Sequence, residues 1–279
     1  GHMKKTKREI EDNLKLVDAV IEIRDARIPR SSANPDIDKL CSGKPRIILL
    51  NKSDLTEAKV TKSWIDELSN ENVKVLEVNC LKGQGLQQIK PALLELLKEK
   101  HDRAKAKGLV KFMMRVMVVG VPNCGKSTFI NKMARNNIAK TGDRAGVTKS
   151  KQWVRLKGNL ELLNTPGILW PKFEDQEVAL NLAFSRAIKD EILDIDTLGL
   201  KFIEKLMEIE PEKLKARYKL TELGETPLET MEMIGRKRGF ILGRQELDYT
   251  RIALTVLNEY REGKIGQISL ESPMDYMDK

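Results

Sequence analysis

Short apolar runs, separated by stretches with a single apolar face, organise the first 165 residues of the chain. Ala19 to Ile23, Arg46 to Leu50, Val73 to Val78 and Arg115 to Val119 are each short and rich in β-branched or aliphatic residues, so they read as strands, with Arg115 to Val119 a buried one. A further pair of strands is expected around Trp153 to Leu163. Helical periods fill the gaps, among them Ser127 to Ala134, and strand alternating with helix predicts an α/β fold with a doubly wound, mostly parallel sheet whose ligand sits at the strands' carboxyl ends. After Glu174 the strand signals stop, and helical periods over Val178 to Ala187, Ile195 to Met207 and Glu246 to Tyr260 predict an all-α C-terminal domain. The expected division is 1–175 and 176–279.

The candidate chemistry lies at the ends of the predicted strands. Gly120-Val-Pro-Asn-Cys-Gly-Lys-Ser127 has the complete G-x-x-x-x-G-K-S spacing of a phosphate-binding loop, between a strand and a helix. In that setting the loop Pro122 to Thr128, of which Asn123, Cys124 and Gly125 form the tip, surrounds a polyphosphate at the positive end of the helix with the backbone N–H groups of the residues after Pro122. Lys126 would reach the terminal phosphates and Ser127 would ligate Mg²⁺. Such a loop does not choose between ATP and GTP. That choice rests on Asn51-Lys-Ser-Asp54, which ends the second strand. The Asp54 carboxylate can accept both from guanine N1–H and from the exocyclic amine, a pair of donors adenine lacks in that arrangement. Asn51 would tie neighbouring loops together and the Lys52 stem would lie along the base. Cys80, Leu81 and Lys82, in the turn after the next strand, are candidates for the backbone N–H that reads the guanine carbonyl, although a plain helix-entry turn would look the same.

Downstream, Thr148 in a polar, glycine-punctuated stretch would complete the Mg²⁺ shell when the γ-phosphate is present. Gly167, in Asn164-Thr-Pro-Gly167, would offer its N–H to that phosphate. Asn164 stands where a carboxylate usually holds Mg²⁺ through water, so its own metal role is open.

The order is unusual: the base-reading motif comes about 70 residues before the phosphate loop. With that order the chain resembles a circularly permuted GTPase of the ribosome biogenesis GTPase A family (the RbgA/YlqF type). The resemblance extends to Asp25-Ala-Arg27-Ile-Pro29, Asn137 to Gly142, Gly167 to Asp175 and Lys237-Arg-Gly239. It implies a permuted P-loop GTPase domain that hydrolyses GTP to GDP during late maturation of the large ribosomal subunit, and a C-terminal domain that contacts rRNA. Lys98 to Lys111 would contain the join where an unpermuted chain has its ends. By the same resemblance Asn123 would help hold K⁺ between the β- and γ-phosphates, in place of an arginine finger; an Asn that merely tolerates the loop's backbone angles is the alternative. The Gln that orients the attacking water in many GTPases is replaced by Ile168, and an aliphatic group cannot do that work. A main-chain group, a ribosomal group or His2 would have to. The family usually begins Trp-Phe-Pro-Gly-His-Met; Gly1-His2-Met3 matches its last three residues, and removal of a tag leaves the same three.

Composition narrows the rest. Cys41, Cys80 and Cys124 are scattered, which suggests a reducing cytoplasm and no disulfide framework. With His2 and His101 as the only histidines, a structural zinc site is not expected. No apolar run approaches the roughly 20 residues of a membrane span and no secretory signal is visible. The net charge of +9 is uneven: from His101 to Lys157 fourteen basic residues face two acidic ones, while from Lys201 onward fourteen face fifteen. The expectation is a basic face beside the nucleotide loops that docks on rRNA phosphate, with Arg236, Lys237, Arg238 and Arg244 as candidates in the C-terminal domain. The expected partners are the pre-large subunit, its rRNA and ribosomal proteins, with the chain itself monomeric. The other reading is a nucleotide-gated RNA-binding module with little hydrolysis of its own.

Overall fold

The computed structural model describes residues 2–41, 43–109, 111–136, 152–165 and 175–277. Contacts divide the chain into two compact units, the first made of Gly1–Asp54, Ala58–Phe173 and Glu271–Lys279, the second of Leu55–Glu57 and Glu174–Leu270. The sequence reading put 271–279 with the helices; the contacts group them with the first unit.

In the first unit the described elements run α1 (His2–Leu14), β1 (Ala19–Asp25), α2 (Pro35–Leu40), β2 (Arg46–Asn51), α3 (Ala58–Leu68), β3 (Val73–Val78), α4 (Ile89–Leu96), α5 (Lys98–Ala106), β4 (Met114–Gly120), α6 (Lys126–Asn136), β5 (Gln152–Leu156) and β6 (Leu160–Asn164). The sheet order is β3-β2-β1-β4-β6-β5. All neighbours pair parallel except β5 with β6. The chain winds outward from β1 to β3 and then restarts with β4 on the other side of β1, so the winding reverses between β1 and β4. A reversal of this kind opens a crevice at the carboxyl ends of the two strands. Register aligns those ends: Asp25 pairs with Asn51, Asn51 with Val78, and Ile23 with Gly120.

The central strands are mostly apolar because both faces are covered. Ile21, Ile23, Val116, Val118 and Leu162 join Leu93 and Phe129 in one cluster, while Val20, Met117, Val119 and Leu163 pack with Ile10 and Leu14 of α1 on the other face. Each fully buried side chain of this size contributes about 1.5–3 kcal/mol. The final segment is anchored by Glu271, whose buried carboxylate accepts from the N–H groups of Arg30 (2.8 Å) and Ser31 (3.1 Å), while its carbonyl accepts from Trp64 Nε1 (3.0 Å). Tyr276 then lies 4.1 Å below the Arg30 guanidinium.

The second unit comprises α7 (Gln176–Phe184), α8 (Ile195–Ile209), α9 (Pro211–Tyr218), α10 (Pro227–Arg238) and α11 (Tyr249–Arg261). Asp175, Asp194, Thr226 and Asp248 cap four of these helices through side-chain acceptors. Helices α8 and α11 approach closely because residue 199 is glycine: a Cβ there would meet the Ala253 Cβ at 2.3 Å. Phe202 packs between Phe184 and Tyr260, with centroids 4.9 and 4.6 Å away. Glu259 accepts from Arg217 Nε (3.0 Å) and Arg238 Nη2 (3.3 Å), which ties α9 and α10 to α11. No described helix is long and apolar enough to cross a membrane.

Candidate functional site

Asn51, the last residue of β2, is buried and uses both ends of its amide. Its Nδ2 donates to the Cys124 carbonyl (2.8 Å) and its Oδ1 accepts from the Cys80 N–H (2.9 Å). One side chain therefore joins the turn after β2, the turn after β3 and the phosphate loop. The fit is close enough to dictate a glycine: a Cβ on Gly125 would lie 2.2 Å from Asn51 Nδ2, and Gly125 has φ +106°. Gly120 is similarly constrained, since a Cβ there would meet Cys124 Sγ at 2.6 Å.

Lys52 follows at φ 64°, a left-handed backbone that carries its side chain across the crevice. Its Nζ donates to the Asn123 carbonyl (3.2 Å) and to Asp25 Oδ2 (3.4 Å). Asp25 ends β1 and is clamped by Arg27, whose backbone N–H (2.9 Å), Nε (3.0 Å) and Nη2 (2.8 Å) all donate to the carboxylate. Burial pushes the Asp25 pKa up, but the Arg27 and Lys52 charges and the Arg27 hydrogen bonds outweigh it, and the carboxyl is held well below the usual carboxylate range. Ser53 Oγ donates to the Val78 carbonyl (3.1 Å), and Asp54 lies exposed in the single 3₁₀ turn Ser53–Leu55.

Of the three candidates in the turn after β3, the Cys80 N–H is spent on Asn51 and the Lys82 N–H donates to Asn79 Oδ1 (3.2 Å). Leu81 is 74% exposed, and its N–H has no hydrogen bond among the described residues. The turn is closed by paired Asn79–Gln84 backbone bonds of 3.0 Å and by Gly85, where a Cβ would strike the Glu77 carbonyl at 2.5 Å.

In the phosphate loop, Pro122, Asn123 and Cys124 form the turn, Asn123 at φ 60°, and Lys126, Ser127 and Thr128 open α6. Lys126 Nζ donates to the Thr165 carbonyl, and the Thr165 Oγ1 is itself anchored on the Val118 carbonyl (2.7 Å). Burial pushes the Lys126 pKa down. The Cys80 and Cys124 thiols are pushed up by burial to about 12 and about 11, so both are packing groups at neutral pH. Asn164 closes β6. Its Nδ2 donates to Gln152 Oε1 (2.7 Å) across the antiparallel pair, while its buried Oδ1 has no hydrogen bond among the described residues. Thr148, Gly167 and Ile168 lie outside the described residues, as does the side chain of His2.

One charge expectation needs correction. Lys126 opens α6 beside the nucleotide loops, and Lys132 and Arg135 lie further along that helix. In contrast α5, Arg115 and the β5–β6 turn with Lys157 sit where β4 and β6 begin, at the opposite end of the sheet. The segment between His101 and Lys157 is therefore not one face beside the loops. In the second unit, Arg236, Lys237 and Arg238 are exposed at the end of α10 and Arg244 is exposed beyond it; Arg238 also pairs with Glu259 and lies 5.1 Å over the Tyr218 ring. Asp25, Arg27 and Thr165 were not read as site residues; only the Asp-Ala-Arg run hinted at the first two.

A phosphate loop opening a helix at the reversal point of a parallel sheet, with an Asn-Lys-x-Asp turn bound to it, defines a nucleotide-binding α/β protein of the P-loop class. The family described as 50S ribosome-binding GTPase matches residues 115–228. The chain is 49% identical over 278 residues to Ribosome biogenesis GTPase A of Bacillus licheniformis, covering 99% of this chain and 97% of that one. It is 32% identical to the Thermotoga maritima protein of the same name, over 99% of this chain and 94% of that one. The GDP-bound structure of T. maritima YlqF superposes with a TM-score of 0.68 at 29% identity, covering 96% of this chain and 100% of that chain. The chain belongs to the ribosome biogenesis GTPase A family. It is a GTPase with a role in ribosome assembly.

Proposed function

We propose that the crevice between β1 and β4 binds GTP and Mg²⁺, and that hydrolysis there drives a late step in maturation of the large ribosomal subunit in the cytoplasm by changing the protein's hold on rRNA. The observation that carries the reading is Asn51: its amide binds the phosphate loop and the turn after β3 simultaneously, so the base-reading and phosphate-binding elements make one site although they are far apart in sequence. Asp54 would read the guanine N1–H and amine, the Leu81 N–H its carbonyl, and the Lys52 stem its face. Backbone N–H groups from Asn123 to Thr128 would surround the phosphates, with the Lys126 ammonium exchanging the Thr165 carbonyl for phosphate oxygens.

The donor set fits a hard cation bound chiefly by substrate phosphate. The Ser127 hydroxyl stands at the first turn of α6, and the Asn164 Oδ1, without a hydrogen bond among the described residues, supplies a buried oxygen that can accept from a metal-bound water despite lacking the usual charge. Thr148 would complete that shell and the Gly167 N–H would meet the γ-phosphate. Mg²⁺ there would neutralise charge developing on the β- and γ-oxygens. Asn123 is proposed to help hold K⁺ as well as to accept the left-handed backbone of the loop.

The test is GTP turnover with and without large-subunit particles in KCl and in NaCl at equal ionic strength, for the wild type and Lys126→Ala. Expected are stimulation by particles, a lower rate in NaCl, and loss of about 10²–10³-fold on removing Lys126. GTP-dependent particle binding without stimulated turnover would overturn the coupling of hydrolysis to maturation, and equal rates in the two salts would remove the K⁺ assignment.

A further inference from the structure

The sheet has a second charged end. Where β4 and β6 begin, away from the nucleotide loops, residues 98–115 and 155–161 bring together nine Lys or Arg against three Asp or Glu. Backbone bonds fix the arrangement: Met114 N–H donates to the Asn159 carbonyl (2.7 Å) and Arg115 N–H to Asp18 Oδ2 (2.9 Å). The start of β4, the turn carrying Lys157 and the residue before β1 therefore share one edge. Lys90 of α4 reaches the same turn, since a Cβ on Gly158 would meet its Nζ.

Some of these charges are already satisfied. Arg115 Nε (3.2 Å) and Arg155 Nε (2.9 Å) converge on Glu161, Lys100 pairs with Asp18, and Arg103 pairs with Glu99 (3.7 Å). Lys98, Lys105, Lys107, Lys111 and Lys157 are all exposed and have no acidic partner among the described residues. Helix α5 buries no residue at all. A helix with no buried side chain, and with only His101 and Ala104 partly covered, gains little from packing on its own domain. The cations of this end are spread along a sheet edge that spans roughly 15 Å from β1 to β5 at about 4.8 Å per strand.

We propose that this end of the sheet is a docking surface for the phosphate backbone of double-helical RNA, used independently of the nucleotide state. Uncommitted lysines accompanied, among the described residues, by the one ring pair His101–Phe112 suit the regular, wide-spaced phosphates of a duplex better than splayed single-stranded bases, which need a row of stacking platforms. Because the surface lies at the far end of the strands from Asn51, Lys52 and Lys126, it would hold RNA whether GTP or GDP is bound. The nucleotide loops would then be free to control a separate contact. The inference shares with the proposed function only the premise that the partner contains RNA.

The test uses the full chain and a mixed-sequence RNA duplex of about 20 base pairs, titrated at several KCl concentrations with GDP or a non-hydrolysable GTP analogue bound. For Lys105→Glu/Lys107→Glu/Lys157→Glu, duplex affinity is expected to fall by about tenfold or more and the slope of log K on log salt by about 2–3. GDP affinity and the melting temperature should remain at the wild-type values, and wild-type duplex binding should be the same in both nucleotide states. Wild-type affinity and slope in the triple variant overturn the proposal. Intact duplex binding with lost binding to large-subunit particles also overturns it, because the surface would then serve a protein. If the duplex result is as expected but wild-type particle binding ignores the nucleotide, the reading under Proposed function fails while this one stands.

Discussion

Replacing Asp25 by Asn keeps the shape of the side chain and removes the charge at the centre of the crevice. In the wild type this carboxylate is 3% exposed and accepts from Arg27 N, Nε and Nη2 and from Lys52 Nζ. Hydrogen bonds to charged groups contribute about 1.5–3 kcal/mol, and removing one partner of a buried pair costs about 3–5 kcal/mol. An Asn retains one acceptor oxygen, so the expected loss is about 3 kcal/mol, or about 6–12 °C in melting temperature for a protein of this size. Nucleotide affinity should suffer as well, because Asp25 is one of the two groups that hold the Lys52 ammonium beside the phosphate loop. A loss of about tenfold in GDP affinity corresponds to roughly 1.4 kcal/mol.

The pH dependence has a definite sign. Asp25 has a folded-state pKa below its unfolded value of 3.8, so its contribution is complete above that value and is lost as the pH falls through the folded pKa. The gap between wild type and Asp25→Asn, read by circular dichroism melts, should be constant from about pH 8 to pH 5 and narrow only below about pH 4. A second arm, Asp25→Asn with Lys52→Ala, should weaken GDP binding no more than Lys52→Ala alone. A melting temperature within about 1 °C of wild type at pH 7, or additive effects on GDP affinity, would refute the reasoning.

Gly125→Ala places a methyl group 2.2 Å from Asn51 Nδ2 at a left-handed backbone position, and should weaken GDP binding by at least about tenfold in a fluorescent-nucleotide titration, at a cost of about 1–3 kcal/mol in stability. Burial raises the Cys41, Cys80 and Cys124 thiols to about 12, about 12 and about 11, so at pH 8 all three should stay protonated and react with a disulfide reagent only when urea unfolds the chain. A thiol that titrates quickly in the native protein would contradict that packing.

The strands and the phosphate loop were legible because their signals are local. Runs such as Ile47 to Leu50 predict a buried strand by themselves, and the observed β2 extends the expected span by one residue, to Asn51. Helices with a weak apolar stripe were missed: α5 buries nothing, α9 buries Leu214 and Tyr218, and α10 buries only Thr230, Met231, Ile234 and Gly235. Periodicity reports contact with a core, and such helices have little or none. The Asp25–Arg27–Lys52 cluster was out of reach for another reason. It exists because β1 and β2 pair in the register that sets Asp25 beside Asn51, a choice made by long-range packing. Placement of the basic segment failed similarly, since neighbours in sequence such as Arg115 and Gly120 occupy opposite ends of the same strand. Arg238 looked like its neighbours until Glu259, 21 residues away, was seen to engage it.

The central claim is that Asn51 to Asp54 reads guanine for a phosphate loop that follows much later in the chain, and the base preference of Asp54→Asn tests it most directly. Guanine offers two donors to the carboxylate, whereas xanthine replaces the exocyclic amine by a carbonyl that an amide N–H₂ can meet. Equilibrium titrations of GDP, XDP and ADP should show wild-type binding to GDP alone, and in the variant a loss of GDP affinity of about 10²-fold or more with a gain for XDP. Unchanged GDP affinity in Asp54→Asn, or wild-type binding of ADP as tight as GDP, would contradict the account.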